Sequence, residues 1–379
     1  MIEYRFADES LRADIIDFIN YVFSQAHCPH NFKTLIPKVY GDGRGYADIH
    51  AVALEDGRMR GTVAQYPISA RFGGQALQIG FIGSVSTHPY ARGKGYMIEL
   101  MDMQAKRAKE TGVDLMLLGG LRQRYEYYGY SPCGAQYVYR VNADNVRHGL
   151  KKVDASGINW KKFSDASASE IDEAYRLYLA QPVTGIRLRE DFDIVLRTWG
   201  AEPYVILDGA RVAGYADISG KDSFSELVLQ NAADAPRFIK AWYAVYAPGT
   251  THVTVPAFDR ALNRAISAFS EGYELRTSTQ ARIVNLKNVV NACLHLKRAT
   301  EKLADGEIVL QMDGETPVRA LVKNGEIEVT ETDRKPDISL TRLDMQQFLF
   351  SANRFMAPDF PDPTGWFPLP LFLYGADHF

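Results

Sequence analysis

Cysteine is scarce in this chain: Cys28, Cys133 and Cys293 are the only three in 379 residues. Their odd number and wide spacing argue against a disulfide framework and against a Cys-x-x-Cys metal site. An excess of charge of one sign is lacking as well. Forty-three lysines and arginines face 46 aspartates and glutamates, a formal net charge of −3, so neither nucleic acid nor an anionic membrane surface is indicated as the main partner. No apolar run approaches the roughly 18–20 residues that cross a bilayer, and the opening MIEYRFADES has neither the basic flank nor the apolar core of a signal peptide. The Walker spacing GxxxxGK[ST] is absent, and so is the dinucleotide fingerprint GxGxxG. What is present is ordinary globular composition, 46% hydrophobic and 23% charged, which argues against a disordered chain. A cytoplasmic protein is expected, with no metal and, at roughly 150 residues per domain, two or three domains.

Hydrophobic periodicity predicts a helix at about 8–24 with Asp8 as N-cap, then strands near 47–54, 60–68 and 78–86. A helix near 95–110 follows, and then a buried strand, Asp114 to Leu118, that stops at Gly119-Gly120. The aromatic segment from Tyr125 to Tyr139 closes this unit in a further strand. The polar stretch around 142–160 reads as a boundary. Beyond it a helix near 167–180, strands near 203–208, 211–219 and 224–229, a helix from about Pro236, a strand around Val253 and Val255, and a helix holding Leu262, Ile266 and Phe269 repeat the order without a glycine-rich turn. From 288 the pattern changes to a helix near 288–304, three strands at about 307–313, 317–323 and 326–331 joined at Asp313-Gly314 and Asn324-Gly325, and a helix near 343–353. The apolar, proline-rich tail PDFPDPTGWFPLPLFLYGADHF is expected to lie extended over the fold, because a free one would promote aggregation. The fold class expected is α/β (α+β) with mixed-sheet layers, divided at 1–150, 151–287 and 288–379.

The run VSTHPYARGKGYM at 85–97 carries the chemistry. A strand delivers Val85 to Thr87, a turn starts at Pro89, and Arg92-Gly93-Lys94-Gly95 opens a helix. Unpaired N–H groups and the helix dipole favour an anion there. Glycines allow close approach, and Arg92 and Lys94 add positive charge, so the pattern reads as a pyrophosphate cradle. A basic surface turn is the plainer reading of RGKG alone; the strand before it and the helix after it supply the context that phosphate binding needs.

Pro89-x-x-Arg92-x-x-Gly95 between strand and helix resembles the coenzyme A motif of the GNAT N-acetyltransferases, usually R/Q-x-x-G-x-G/A. Met97 stands where Gly or Ala is common, a departure shared by one subgroup, the Eis-like (enhanced intracellular survival) family. GGLRQRYEYYGYSPCG at 119–134 is similar to that family's glycine pair followed by Y-x-x-[FY]-G-Y-x-P, and the apolar tail ending in Phe379 matches its chain end. The resemblance implies tandem GNAT-like domains, the first binding acetyl-CoA and the second degenerate, followed by a sterol-carrier-protein-like domain, in a hexamer. It implies acetyl transfer to an amine acceptor. Val85 and Thr87 would pair with the pantetheine and thioester, and Arg92, Gly93, Lys94 and Gly95 would hold the pyrophosphate. Tyr125, seven residues before Pro132, would be the general acid, and the terminal carboxylate on Phe379 the general base.

Such roles suit the chemistry: an ammonium must lose a proton before attack, and a departing thiolate needs one. Tyr127 is the rival acid, and core packing is the ordinary fate of tyrosines in such a run. Cys133 has no recognisable partner and reads as a structural thiol. His378 departs from the acidic residue of aminoglycoside-modifying relatives, although Asp377 is adjacent. His27-Cys28-Pro29-His30, with no second cluster, reads as a helix end and not a metal site. Candidate acceptors are aminoglycoside-like or polyamine-like small molecules. A protein lysine as acceptor, or a non-catalytic lipid or acyl-CoA carrier, are the competing readings.

Overall fold

Strand β1 (Ile2–Phe6) leads through Asp8, whose side chain accepts from the Ser10 amide, into helix α1 (Arg12–Ala26). That helix buries Ile15, Ile16, Phe18, Ile19 and Val22 at helical spacing, each worth on the order of 2 kcal/mol of transfer free energy. Strands β2 (His50–Glu55), β3 (Arg58–Phe72) and β4 (Gln75–Thr87) form an antiparallel meander. The helix Tyr96–Glu110 then crosses over to β5 (Leu115–Leu118), which pairs parallel to β4. Strand β6 (Ser131–Cys133) follows. This is a computed structural model, and it describes every residue except His27 and Lys221.

The chain packs as two units. One comprises Met1–Cys133, Thr279–Leu369 and His378–Phe379; the other comprises Gly134–Ser278 and Pro370–Asp377. In the first, the sheet runs β1-β2-β3-β4-β5, then the strand Thr279–Ile283, then β6. The same unit carries a four-stranded sheet in the order Glu326–Glu331, Val318–Lys323, Gly306–Met312, Ile338–Leu340. Lys297 and Leu349 hold the tail here: Lys297 Nζ donates to the carbonyls of Trp366 (2.5 Å) and Pro368 (3.0 Å), and the Leu369 amide donates to Leu349 O (2.6 Å).

The second unit has the strands Ile158–Lys162, Ala201–Asp208, Arg211–Ser219 and Ser223–Leu229 in an antiparallel series. The helix Ala235–Tyr246 follows, with a proline in its first turn, and the strand Thr250–Pro256 pairs parallel to Ser223–Leu229. Its sheet also takes in Gln136–Asn142, between Thr250–Pro256 and Gly272–Arg276. The two sheets therefore share one plan: an antiparallel series, a parallel crossover, and an inserted strand before the edge. The second sheet begins within the aromatic segment, at Gln136. The polar stretch after it contains a short helix, Ala143–Gly149, closed by a reciprocal Asn142–Asn145 cap. The tail residues Phe372, Tyr374 and Ala376 belong to this unit's core with Tyr178, Phe192 and Tyr215.

Candidate functional site

All of the candidate residues lie in the first unit. Strand β4 is paired on both edges only as far as Ile82, because β5 stops at Leu118 and the glycine pair follows. From Gly83 to Thr87 it keeps β3 on one side and, among the described residues, has no strand on the other. The His88 amide donates to Arg60 O (2.9 Å). In an antiparallel ladder hydrogen-bonded pairs alternate, so Ser86 also faces β3, while Val85 and Thr87 turn their N–H and C=O groups to the open edge. The ladder shifts by one residue here, at Ser84, whose φ is 50°. This bulge bends the strand away from its neighbour.

The turn after β4 runs through Pro89–Ala91 and an extended Arg92 to Gly93 and Gly95, with φ of 79° and 82°. Gly95 is the left-handed cap of the helix Tyr96–Glu110 and offers no side-chain cap. Only glycine adopts this conformation without strain. The Ile98 amide closes back on Gly95 O (3.0 Å), whereas among the described residues the amides of 92–97 have no acceptor. Lys94 is engaged: its Nζ lies 2.9 Å from Glu55 Oε1, which also accepts from Tyr96 OH (3.2 Å). The hydrogen bond to Lys94 holds the Glu55 carboxyl below its ordinary range. Arg92 is exposed.

Tyr125 ends the short helix Arg122–Tyr125 and is buried. It shares a core cluster with Ile82, Leu118, Val85 and Met97. A side chain at Gly120 would strike its ring, with Cε2 at 2.5 Å from the added carbon. That contact and its φ of 151° both call for the second glycine of the pair. Burial raises the phenol pKa and Arg124 partly offsets it, so Tyr125 keeps its proton and is able to donate it. Tyr127 is 73% exposed and Tyr130 is fully buried. Burial lifts the Cys133 thiol to about 12, which rules out a thiolate nucleophile at neutral pH.

Phe379 is buried on the other face of β4. Its ring lies on Gly83 and 5.9 and 5.8 Å from the rings of Tyr40 and Tyr66. His378 packs on Phe81 (5.1 Å), and the buried Lys38 donates to His378 O (2.5 Å). Alternation along the strand puts Phe81 and Gly83 on one face and Ile82 on the other. Tyr125 and Phe379 thus pack on opposite faces of β4, next to the stretch where its edge opens.

A buried polar chain supports the bulge. Thr62 Oγ1 donates to Ala51 O (3.1 Å), so it accepts from His50 Nδ1 (2.8 Å). His50 Nε2 then accepts from Tyr40 OH (3.0 Å), which accepts from Ser84 Oγ (2.8 Å). Burial depresses the His50 pKa to about 3, so the chain aligns neutral groups and does not carry protons. Neither Lys38 nor this chain was visible in the sequence: their partners are far away along it, and no spacing marks them.

Asp377 is committed within the second unit. Arg187 Nε and Nη2 meet its carboxylate at 2.7 and 3.0 Å, and the same guanidinium grips Glu226 at 3.0 and 2.9 Å. Its charge is therefore balanced by Arg187, not presented to a cationic ligand. Of the His27-to-His30 stretch, His27 lies outside the described residues, Cys28 is exposed, and His30 Nδ1 contacts Cys28 O (2.6 Å). Among the described residues no group of three or more His, Cys, Asp or Glu could hold a metal ion, and no helix is long and apolar enough to cross a membrane.

The family model for the acetyltransferase (GNAT) domain matches residues 3–133. This segment is a GNAT acetyltransferase domain. Beyond it, likeness of fold extends over nearly the whole chain. A conserved protein of unknown function from Enterococcus faecalis, a probable N-acyltransferase, superposes with a TM-score of 0.67 at 16% identity, covering 92% of this chain and 90% of its own. A GCN5-related N-acetyltransferase from Anabaena variabilis gives 0.65 at 16% identity, covering 91% and 89%. Eis1 from Mycobacterium abscessus gives 0.61 at 17% identity, covering 91% and 88%. The chain has the Eis-like GNAT fold. Comparison with curated proteins gave no match. A GNAT acetyltransferase uses an acyl-CoA donor, and the row of unpaired amides at 92–97 in this domain suits a pyrophosphate.

Proposed function

We propose that the chain transfers an acetyl group from acetyl-CoA to a primary amine of a small molecule, aminoglycoside-like or polyamine-like. One observation carries the reading: the unpaired edge of β4 starts at the residue on which Phe379 rests and ends at the uncapped glycine turn. Val85 and Thr87 orient the acyl arm through backbone groups along that edge. Arg92, Gly93, Lys94 and Gly95 bind the pyrophosphate, with Lys94 exchanging its bond to Glu55 for one to phosphate. Acetyl-CoA supplies the activated thioester.

Phe379 contributes the terminal carboxylate, which takes the proton from the acceptor amine as it attacks. Tyr125, kept protonated by its burial, donates to the departing sulfur. Backbone donors at the edge stabilise negative charge on the acyl oxygen, by about 3 kcal/mol per donor in comparable sites. The second unit, which replaces the glycine turn by Asn231 and a helix with a proline in its first turn, binds no donor. A cytoplasmic homo-oligomer, a hexamer by family resemblance, with a catalytic part at 1–150, a degenerate part at 151–287 and a sterol-carrier-like part at 288–379, completes the reading.

Release of CoA thiol from acetyl-CoA, measured against aminoglycosides, polyamines and a lysine peptide, tests it. Turnover with a small amine is expected. Turnover with the peptide alone would move the acceptor to protein lysine. Donor binding without turnover on any amine would favour an acyl-CoA carrier.

A further inference from the structure

The short helix Pro37–Tyr40 touches the end of the chain twice, through Lys38 and through Tyr40. Pro37 pre-sets its first turn, and Gly41 closes it. The Gly41 amide donates to Pro37 O (3.0 Å), and a side chain at Gly41 would strike that oxygen. The turn buries Lys38, Val39 and Tyr40 together. Lysine is rarely buried, because its ammonium keeps its water unless a specific partner replaces it. Lys38 is 6% exposed. Its Nζ donates to His378 O (2.5 Å) and stands 5.8 Å from the centre of the Tyr66 ring, whose face attracts a cation. The Tyr66 ring lies 5.8 Å from that of Phe379. The ammonium therefore holds the last carbonyl before the terminal residue and also meets a ring that packs on that residue.

We propose that Lys38 is a positioning residue that sets the direction of the terminal carboxylate. The inference rests on the reading of that carboxylate as the base and deepens it. The Phe379 Cα carries the peptide nitrogen, the ring-bearing Cβ and the carboxyl carbon. His378 O lies in the same rigid plane as that nitrogen, so holding the oxygen holds the plane. The ring is held by Gly83, Tyr40 and Tyr66. With nitrogen and Cβ both fixed, the chirality of Cα leaves the carboxyl carbon one place. The rotation that remains exchanges two equivalent oxygens. Seating the ring alone does not achieve this, because the carboxylate would still swing between rotamers about the Cα–Cβ bond. A base has to lie within hydrogen-bond reach of the proton it takes, and a misplacement of about 1 Å costs on the order of a hundredfold in rate. An ammonium suits the task, since a charge-assisted hydrogen bond is shorter and stronger than a neutral one.

Carboxypeptidase A removes an accessible C-terminal aromatic residue, and so reads the hold on Phe379 independently of turnover. Phe379 should leave folded Lys38→Met at least about tenfold faster than it leaves the unaltered full chain, the factor expected for one lost charge-assisted hydrogen bond. The kcat of Lys38→Met should fall by a similar factor with the KM for acetyl-CoA within about threefold, because β4 and the glycine turn are untouched. Lys38→Arg keeps the charge and a donor and should recover part of both losses. Should Lys38→Met not fold, Lys38→Gln, which removes the charge and shortens the stem, carries the same expectation. Unchanged protection of Phe379 in the variant without the ammonium would overturn the assignment. So would release from the unaltered protein as fast as from the unfolded chain. Faster release with kcat unchanged would uphold the hold of Lys38 on the terminus and overturn the terminal carboxylate as the base.

Discussion

The aromatic ring of Phe379 rests on the bare backbone of Gly83: a carbon added at Gly83 would come within 2.7 Å of the ring's Cε1 atom. Gly83 does not need glycine for its backbone angles, since its φ is not positive. It needs glycine for room. Gly83→Ala should therefore push Phe379 off β4, at about 1–3 kcal/mol of overpacking. We expect kcat to fall at least about tenfold with acetyl-CoA affinity within a factor of about three. Unchanged kcat would show that the seat of Phe379 is irrelevant to turnover.

Extending the chain by three residues after Phe379 tests the base itself. The carboxylate becomes an amide and the charge moves away, so most of the turnover should disappear while donor binding persists. Full activity in the extended protein would sink the assignment.

His50 gives the protein an acid-side signature. Its pKa in the fold is about 3, against an ordinary 6.5, because burial disfavours the imidazolium. The unfolded chain therefore binds a proton that the folded one refuses once pH drops below about 6.5. Stability should be constant with respect to this residue above that pH and fall by up to ~1.4 kcal/mol per unit below it, towards pH 3. Urea unfolding between pH 7 and 5 measures the slope, a window in which few carboxylates titrate. His50→Asn should flatten it; an unchanged slope would assign it elsewhere.

Arg187 sits between Glu226 and Asp377, with its guanidinium carbon 4.0 Å from the Tyr178 ring centre. Although burial works against its charge, the two carboxylates hold its proton in place, and its pKa is raised. Arg187→Met leaves two buried carboxylates facing each other without a cation. A loss of about 3–5 kcal/mol is expected in denaturant unfolding. Because Asp377 precedes the terminal residue by two positions, turnover should fall too. A loss below about 1 kcal/mol would mean that the cluster relaxes by taking up protons.

The order of elements and the glycine turn were legible in the sequence because each is written in local terms: alternation for β3 and β4, helical spacing for Tyr96–Glu110, and left-handed positions at Gly93 and Gly95. Gly83 looks like any other glycine in the sequence, yet it is explained by the distant ring of Phe379. Lys94 reads as a free phosphate ligand until Glu55, on β2, is brought beside it. Asp377 reads as an acidic lure for cations until Arg187 neutralises it. Strand β1 and the strand Thr279–Ile283 are short, and nothing in five residues announces where they pair. Local pattern specifies elements; the partners of charged and aromatic side chains are set by the packing of segments far apart in the chain.

The strand Thr279–Ile283 lies between β5 and β6, hydrogen-bonded to both. The first sheet is therefore incomplete until a segment some 150 residues downstream of β6 has been made. At ribosomal speeds of 5–20 residues per second, that is a wait of about 10–30 s during which the inner edge of β5 lies bare in a nascent chain. A fragment ending at Cys133 would keep that bare edge permanently. Expressed alone, the segment that carries the family's signature is therefore expected to aggregate more readily than the whole chain, in which Thr279–Ile283 covers that edge.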